Sequence, residues 1–452
     1  VLYLKLMNLN KYQNSPWVLT LPIMLLFALD VLLLGKNVPL SDGIRYWKTA
    51  SDILNGFSET PVLEGYLLKN GPLYPFLLSI FKFLGFSVKA CIYLNALFLY
   101  VGFTFFYKTA RVFLNKKQAV WITYILVFID PFLFYWGAKL YSEPLSILLI
   151  CLAIYYSHNY FQNASRVNLF KISIIFCLLI LTRSIFAYVF LTLIPIGFLS
   201  YFFLKRKVFK NIGQMSVLSL LFCLPYLIFT FSLTNKIFYW SDGGGQLLYW
   251  TSSPYKTDLG EWHTLQINHD HFAARYNAFS GLDSLYLRKV NDVIISEINS
   301  NHKEFAQSLS GKNSIQRDEA FRQKALQNIK ENPKVFLHNW FLNTGRLLVG
   351  IPHAMYHKPP FSPFFTLINT IKSSFLLCFL LTAIVLFLFN LNASGLFTLW
   401  LFLILIIYLG GQSILATQSQ RFLLPVYPLL LFFIALVFNH TISLKWTKIN
   451  LS

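Results

Sequence analysis

Long apolar runs recur along the chain, near residues 17–35, 88–107, 119–136, 143–157, 171–183, 185–204, 213–234, 363–389, 395–409 and 422–438. A helix needs about 20 apolar residues to cross a bilayer, and only helices and closed barrels satisfy their backbone inside one. The runs predict an all-α polytopic membrane protein with about ten transmembrane helices. Composition agrees. Of 452 residues, 56% are hydrophobic and 12% are charged, against roughly 25% charged in a soluble domain. A water-soluble enzyme, a disordered tail and a coiled coil are thereby excluded. An outer-membrane barrel is disfavoured too, because its strands alternate over about 10 residues instead of running apolar throughout.

The formal net charge is +20. In a soluble chain that would suggest nucleic acid; here the excess sits in short loops between apolar runs. Lys108, Arg111, Lys116 and Lys117 fill one loop, and Lys205, Arg206, Lys207 and Lys210 another. Arg166 and Lys171 flank a third, Lys5 and Lys11 precede the first run, and Lys445 and Lys448 follow the last. Cations concentrate on the cytoplasmic side, so both termini are expected there, with anionic membrane lipids as neighbours and no nucleic acid partner. Three regions follow. Residues 1–235 form an N-terminal membrane module with a helical first outer loop at 36–88, residues 236–362 a larger mixed outer loop domain, and residues 363–452 the C-terminal membrane helices. Cys91, Cys151, Cys177, Cys223 and Cys378 all lie in apolar runs and read as small core residues.

In the second outer segment, Gly243-Gly244-Gly245 forms a glycine turn and a polar helix is expected over about 282–300. Arg317 to Lys330 carries apolar residues at helical spacing, and Asn332-Pro333 breaks it. Val335 to Gly350 reads as an amphipathic, aromatic helix suited to the membrane interface.

Ionisable residues in or beside a bilayer are costly and therefore functional candidates. Here they are Asp30, Asp130, Glu143, Arg183 and Arg421, all toward the outer side. In the first loop, Ser41 is placed to cap a helix running to about Asn55-Gly56, with Asp42 in its first turn. A carboxylate at that donor-rich end serves either as a cap or as an ionised base. Lys69 precedes Gly71-Pro72-Leu73-Tyr74-Pro75, a rigid entry into an apolar helix, and offers an ammonium either to water or to a phosphate. Glu143 opens the fourth run, Thr182-Arg183 closes the fifth, and Arg421-Phe422-Leu423-Leu424-Pro425 opens the last. An arginine entering from the outer side opposes the cation trend, which favours an anion site at Arg421. His263, His269, Asp270 and His271 read as polar loop residues, because no second ligand set has matching spacing.

In their order along the chain, these motifs resemble the GT-C superfamily of lipid-linked-sugar glycosyltransferases. The likeness is to the bacterial glycosyltransferase family 39-like branch, with the protein mannosyltransferases and the related aminoarabinose transferases. The residues carrying it are Asp42 with Arg45-Tyr46, the Gly71–Pro75 entry, Ser142-Glu143, Thr182-Arg183 and Arg421–Pro425. Three positions depart from the pattern. Gly43 follows Asp42 where a glutamate is frequent, Gln420 precedes Arg421 where an acidic residue is frequent, and Phe422 stands for the usual tyrosine.

The resemblance implies a GT-C-type bundle in a bacterial inner membrane with an external, periplasmic site. It implies an enzyme moving a hexosyl or pentosyl sugar from a polyprenyl-phosphate donor to a cell-envelope lipid, glycan or protein, with inversion. Asp42 would be the base, and Lys69, Arg183 and Arg421 would hold the donor phosphate. Arg45, Tyr46 and Glu143 would orient the sugar or the cations. No nucleotide cofactor and no metal ligand set is implied. Two rivals stand beside this reading. An O-antigen-type polymerase or ligase favours arginine-rich outer loops over an early acidic one. A lipid-linked-sugar flippase or transporter predicts inverted repeats and midplane charges, and neither is visible.

Overall fold

The computed structural model describes residues 15–40, 42–57, 62, 66–130, 132–261, 264–267, 272–275, 297, 300–350, 362–390, 395–415 and 420–449. Ser41 and the His263–His271 group lie outside the described residues, as does most of the polar helix expected over 282–300.

The chain divides into two units. The first comprises residues 1–232, 379–407 and 424–452. It opens with α1 (Pro16–Leu34), α2 (Asp42–Leu54), α3 (Leu73–Phe83), α4 (Val88–Phe113), α5 (Lys116–Phe128) and α6 (Phe132–Gly137). It continues through α7 (Glu143–Gln162), α8 (Arg166–Thr182), α9 (Ile185–Leu204), α10 (Lys207–Phe222) and α11 (Leu224–Thr234). Local chemistry sets the starts. Ser87 accepts from the Ala90 amide, Ser165 accepts from the Asn168 amide, and Asn115 with Gln118 forms a capping box.

Helix α4 packs between α1 and α7, α7 also meets α8, and α9 pairs with α10. The α9–α10 contact is backbone to backbone: a Cβ on Gly197 would stand 2.6 Å from the Gly213 amide nitrogen. Small residues of this kind let membrane helices approach closely. Helix α17 (Tyr427–Ile449) lies against α4, α5 and α7. There the Tyr427 hydroxyl donates to Asp130 Oδ2 at 2.9 Å, while Asp130 Oδ1 accepts the Phe132 amide at 3.0 Å. Asp130 is thus a buried cap for α6.

The second unit comprises residues 233–378 and 408–423. It contains α12 (Gly244–Thr251), a β1–β2 hairpin (Thr264–Ile267 with Phe272–Arg275, antiparallel), α13 (Ser314–Glu331) and α14 (Pro333–Val349). Its core gathers Tyr249, Trp250, Leu309, Phe321 and Ala325. The glycine run is the start of α12. At Gly245 a Cβ would meet the Asp318 carbonyl at 2.2 Å, and the Gly245 amide donates to Asp318 Oδ1 at 2.7 Å. The helices α15 (Ser362–Phe389) and α16 (Leu396–Ile414) each run from one unit into the other.

Among the described residues, seven helices are long and apolar enough to cross a membrane, and the α10–α11 pair, bent by 53°, makes an eighth if counted as one span. Two of the expected runs are not in this set. The run at 171–183 is a 17-residue helix, α8. The run at 119–136 is broken into α5 and α6 near Asp130. The chain is an all-α, multi-pass membrane protein apart from the short hairpin.

Candidate active site

In the first unit, the ends of α2, α3, α7 and α8 bring together most of the residues singled out by sequence. Helix α2 begins at Asp42, whose carboxylate pairs with Arg45 one turn later. Gly43 packs on the segment before α7; a Cβ there would stand 3.1 Å from the Leu140 carbonyl and 3.3 Å from the Leu140 Cβ. That crowding gives a physical reason for a glycine at this position. One turn along α2, the Tyr46 hydroxyl lies 3.1 Å from Ser142 Oγ, and its ring meets Tyr74 edge to face at 5.0 Å.

Glu143 begins α7 and is fully buried. The segment leading to it is held from α4, where the Asn95 side-chain amide donates to the Gly137 carbonyl at 3.0 Å and the Lys139 carbonyl at 2.7 Å. Glu143 Oε1 pairs with Arg183 Nη2 at 2.8 Å. Arg183 sits in the tight turn between α8 and α9. The Gly71–Pro75 entry presses on the same turn: a Cβ on Gly71 would fall 2.4 Å from the Leu181 carbonyl and 2.5 Å from that of Thr182. Burial raises the Tyr46 phenol pKa; Glu143 raises it further, Arg183 opposes, and Asp42 adds a smaller rise. The phenol therefore reports the field of two carboxylates and one guanidinium acting at one place.

Lys69 ends a short turn beside this entry and is exposed, its ammonium 5.6 Å from the Tyr66 ring centroid. Lys48 of α2 approaches the same ring at 5.6 Å. Arg421 belongs to the second unit, half-buried in the turn Gln420–Phe422. Asp30 lies within α1, and Asp130 is the structural cap described above. The site thus unites Asp42, Arg45, Tyr46, Glu143 and Arg183, with Lys69 at its approach.

Ser142, Tyr74 and Asn95 were not assigned roles from sequence. Asn95 had a usable signal, since a lone amide inside an apolar membrane helix needs a partner. Ser142 and Tyr74 had none beyond their place in the motifs.

The second unit holds a separate polar network. His302 Nε2 lies 2.7 Å from Asp258 Oδ2 and Nδ1 lies 2.5 Å from the Tyr249 hydroxyl. Asn343 donates to the Gly260 carbonyl at 3.1 Å, and Arg346 donates to the Leu259 carbonyl at 2.9 Å. These bonds fasten α14 to the turn after α12. Burial pushes the Glu261 carboxyl up to about 7, against a lowering influence from Arg346. No group of three potential metal ligands occurs among the described residues.

No curated protein matches the chain. The family described as dolichyl-phosphate-mannose-protein mannosyltransferase matches over residues 69–229. That segment contains Lys69, the Gly71–Pro75 entry, Glu143 and Arg183, and it ends within α11. The match covers 161 of the 452 residues. Over residues 69–229 the chain carries the sequence pattern of the dolichyl-phosphate-mannose-protein mannosyltransferase family, as the order of its motifs predicts.

Proposed function

We propose that the protein transfers a hexosyl or pentosyl sugar from a polyprenyl-phosphate donor to an acceptor on the outer face of a bacterial plasma membrane, inverting the anomeric carbon. The observation that carries this reading is the gathering of Asp42, Tyr46, Glu143 and Arg183 at one end of the first unit. The acceptor oxygen or nitrogen attacks the anomeric carbon opposite the carbon–oxygen bond to phosphate. That bond breaks, the lipid phosphate leaves with the electron pair, and Asp42 takes the acceptor proton. A carboxylate in the first turn of a helix stays ionised and ready for this role.

Charge builds on the departing phosphate, and fixed cations stabilise such charge best when preorganised. Arg183 is preorganised by its buried partner Glu143. Lys69 supplies a second cation at the approach, and Arg421 is a further candidate from the motif order. Arg45 and Tyr46 orient Asp42 and the sugar. The acceptor is a lipid, glycan or protein of the cell envelope. Both chain termini are assigned to the cytoplasm from the cation pattern.

The test is sugar transfer in membranes from a panel of radiolabelled polyprenyl-phosphate sugars, wild type beside Asp42→Asn. Transfer by the wild type with a loss of roughly 10²–10⁴-fold in the variant is expected for a general base. Equal transfer by both removes Asp42 from the role. Translocation of the lipid-linked sugar across vesicles without transfer would replace the enzyme reading by the flippase.

A further inference from the structure

Helix α14 has its polar side inside and its apolar side outside. Asn339, Asn343 and Arg346 are buried. Asn339 donates to the carbonyls of Thr251 (3.0 Å) and Ser253 (3.2 Å), and Asn343 donates to Thr251 Oγ1 at 3.1 Å. The outward side carries Leu337, 49% exposed, and Phe341, 67% exposed. Lys334 and His338 are exposed beside them. Facing water, this arrangement would leave large apolar side chains hydrated on a well-formed helix.

Two bonds fix the level at which α14 lies. The Trp340 indole N–H donates to the Gly410 carbonyl at 3.0 Å, in the last turn of the membrane-crossing helix α16. Toward the other end of α14, the Gln420 side-chain amide donates to the Leu348 carbonyl at 2.7 Å. Gln420 opens the next membrane-crossing stretch, Gln420–Thr441. Consecutive spans joined by a short connection have their adjoining ends at one bilayer surface. Helix α14 is therefore tied, at its middle and near its C-terminal end, to the level where two spans emerge.

We propose that α14 lies along the bilayer boundary, with Leu337 and Phe341 among the glycerol and upper acyl groups of the lipids. Lys334 and His338 then reach the head groups, as cationic stems do at interfaces. The partner of this face is a lipid surface. The inference depends on the two tethers and the exposed pair, and it holds whatever sugar chemistry the protein performs.

The experiment uses the full chain in phosphatidylcholine vesicles. Cys378, the exposed thiol among the native cysteines, is changed to Ser. An environment-sensitive NBD probe is attached to Phe341→Cys and, separately, to Gln327→Cys on the exposed side of α13. The probe at 341 should emit to the blue of that at 327 and resist iodide. Nitroxide lipids labelled near the glycerol should quench it more than those labelled at the chain end, as expected about 5–10 Å below the surface. Water-like emission with full iodide quenching at 341 would overturn the proposal. Protection from both iodide and nitroxide lipids would overturn it as well, since protein would then cover the face. Leu337→Cys provides a second probe site if Phe341→Cys does not fold.

Discussion

Removing Arg183 tests whether its pair with Glu143 holds the site together. The two charges meet at 2.8 Å, with the Glu143 side chain fully buried and that of Arg183 12% exposed. At an effective dielectric of about 20, the gross attraction at that distance is about 6 kcal/mol. Desolvation offsets much of it, so the intact pair contributes little net. Breaking it is different, because the remaining partner loses its ion pair while still buried, at a cost of about 3–5 kcal/mol. Arg183→Met should therefore destabilise the protein strongly, and Glu143→Gln should do so by a similar amount. The double variant should recover most of the loss, because neither charge then remains. Detergent-solubilised membrane proteins unfold irreversibly, so the assay is the half-life at a fixed elevated temperature, read by fluorescence-detected size exclusion. Where the loss falls on the unfolding barrier, 3–5 kcal/mol corresponds to roughly 10²–10⁴-fold in half-life. The reasoning fails if the single effects add in the double variant to within about 0.5 kcal/mol, the behaviour of independent sites.

Gly71→Ala should cost about 1–3 kcal/mol of stability and also lower transfer, because its methyl meets the Leu181 and Thr182 carbonyls that shape the Arg183 turn; unchanged heat half-life and transfer would refute that packing. Glu261 has a folded pKa of about 7 against an ordinary 4.5. The folded state therefore binds the proton more tightly, so its contribution to stability is full below 4.5, declines up to about 7 and is flat above. Glu261→Gln should flatten that part of the stability profile, checked by heat half-life across pH. The thiols of Cys177 and Cys223 lie 3.5 Å apart and are buried, and a small approach would reach the 2.05 Å of a disulfide. A membrane-permeant thiol oxidant should link them, seen as the loss of two alkylatable thiols after denaturation; Cys177→Ser should leave Cys223 alkylatable.

Much of the fold follows from apolar period and length, which is why α1, α4, α7, α9 and α16 coincide with expected spans. Breaks inside single runs are less legible. The run at 119–136 divides because Asp130 turns its carboxylate onto the Phe132 amide, making a helix start inside an apolar stretch. The run at 213–234 bends at Cys223, two residues before Pro225, which has no amide hydrogen to give the Leu221 carbonyl. In the outer segment, Asn332-Pro333 separates α13 from α14 as expected, while α13 starts earlier, at the Asn313–Gln316 capping box. The site was legible as an ordered set of motifs but not as contacts. The Tyr46–Ser142 bond spans 96 positions, and no local pattern foretells which turn of α2 meets the start of α7. The same holds for the Gly71 contact with Thr182, which depends on two loops reaching one another.

The Tyr427–Asp130 bond has a consequence for how the protein is made. Its two ends are 297 residues apart, so Asp130 leaves the ribosome long before its tyrosine partner exists. The α4–α7 region must enter the membrane with that carboxylate still awaiting the hydroxyl. Closure of the first unit is therefore a late event of biosynthesis. A nascent chain stalled before Tyr427 would present an open, partly wet α5–α6 junction, of the kind that membrane quality control can distinguish from a finished bundle.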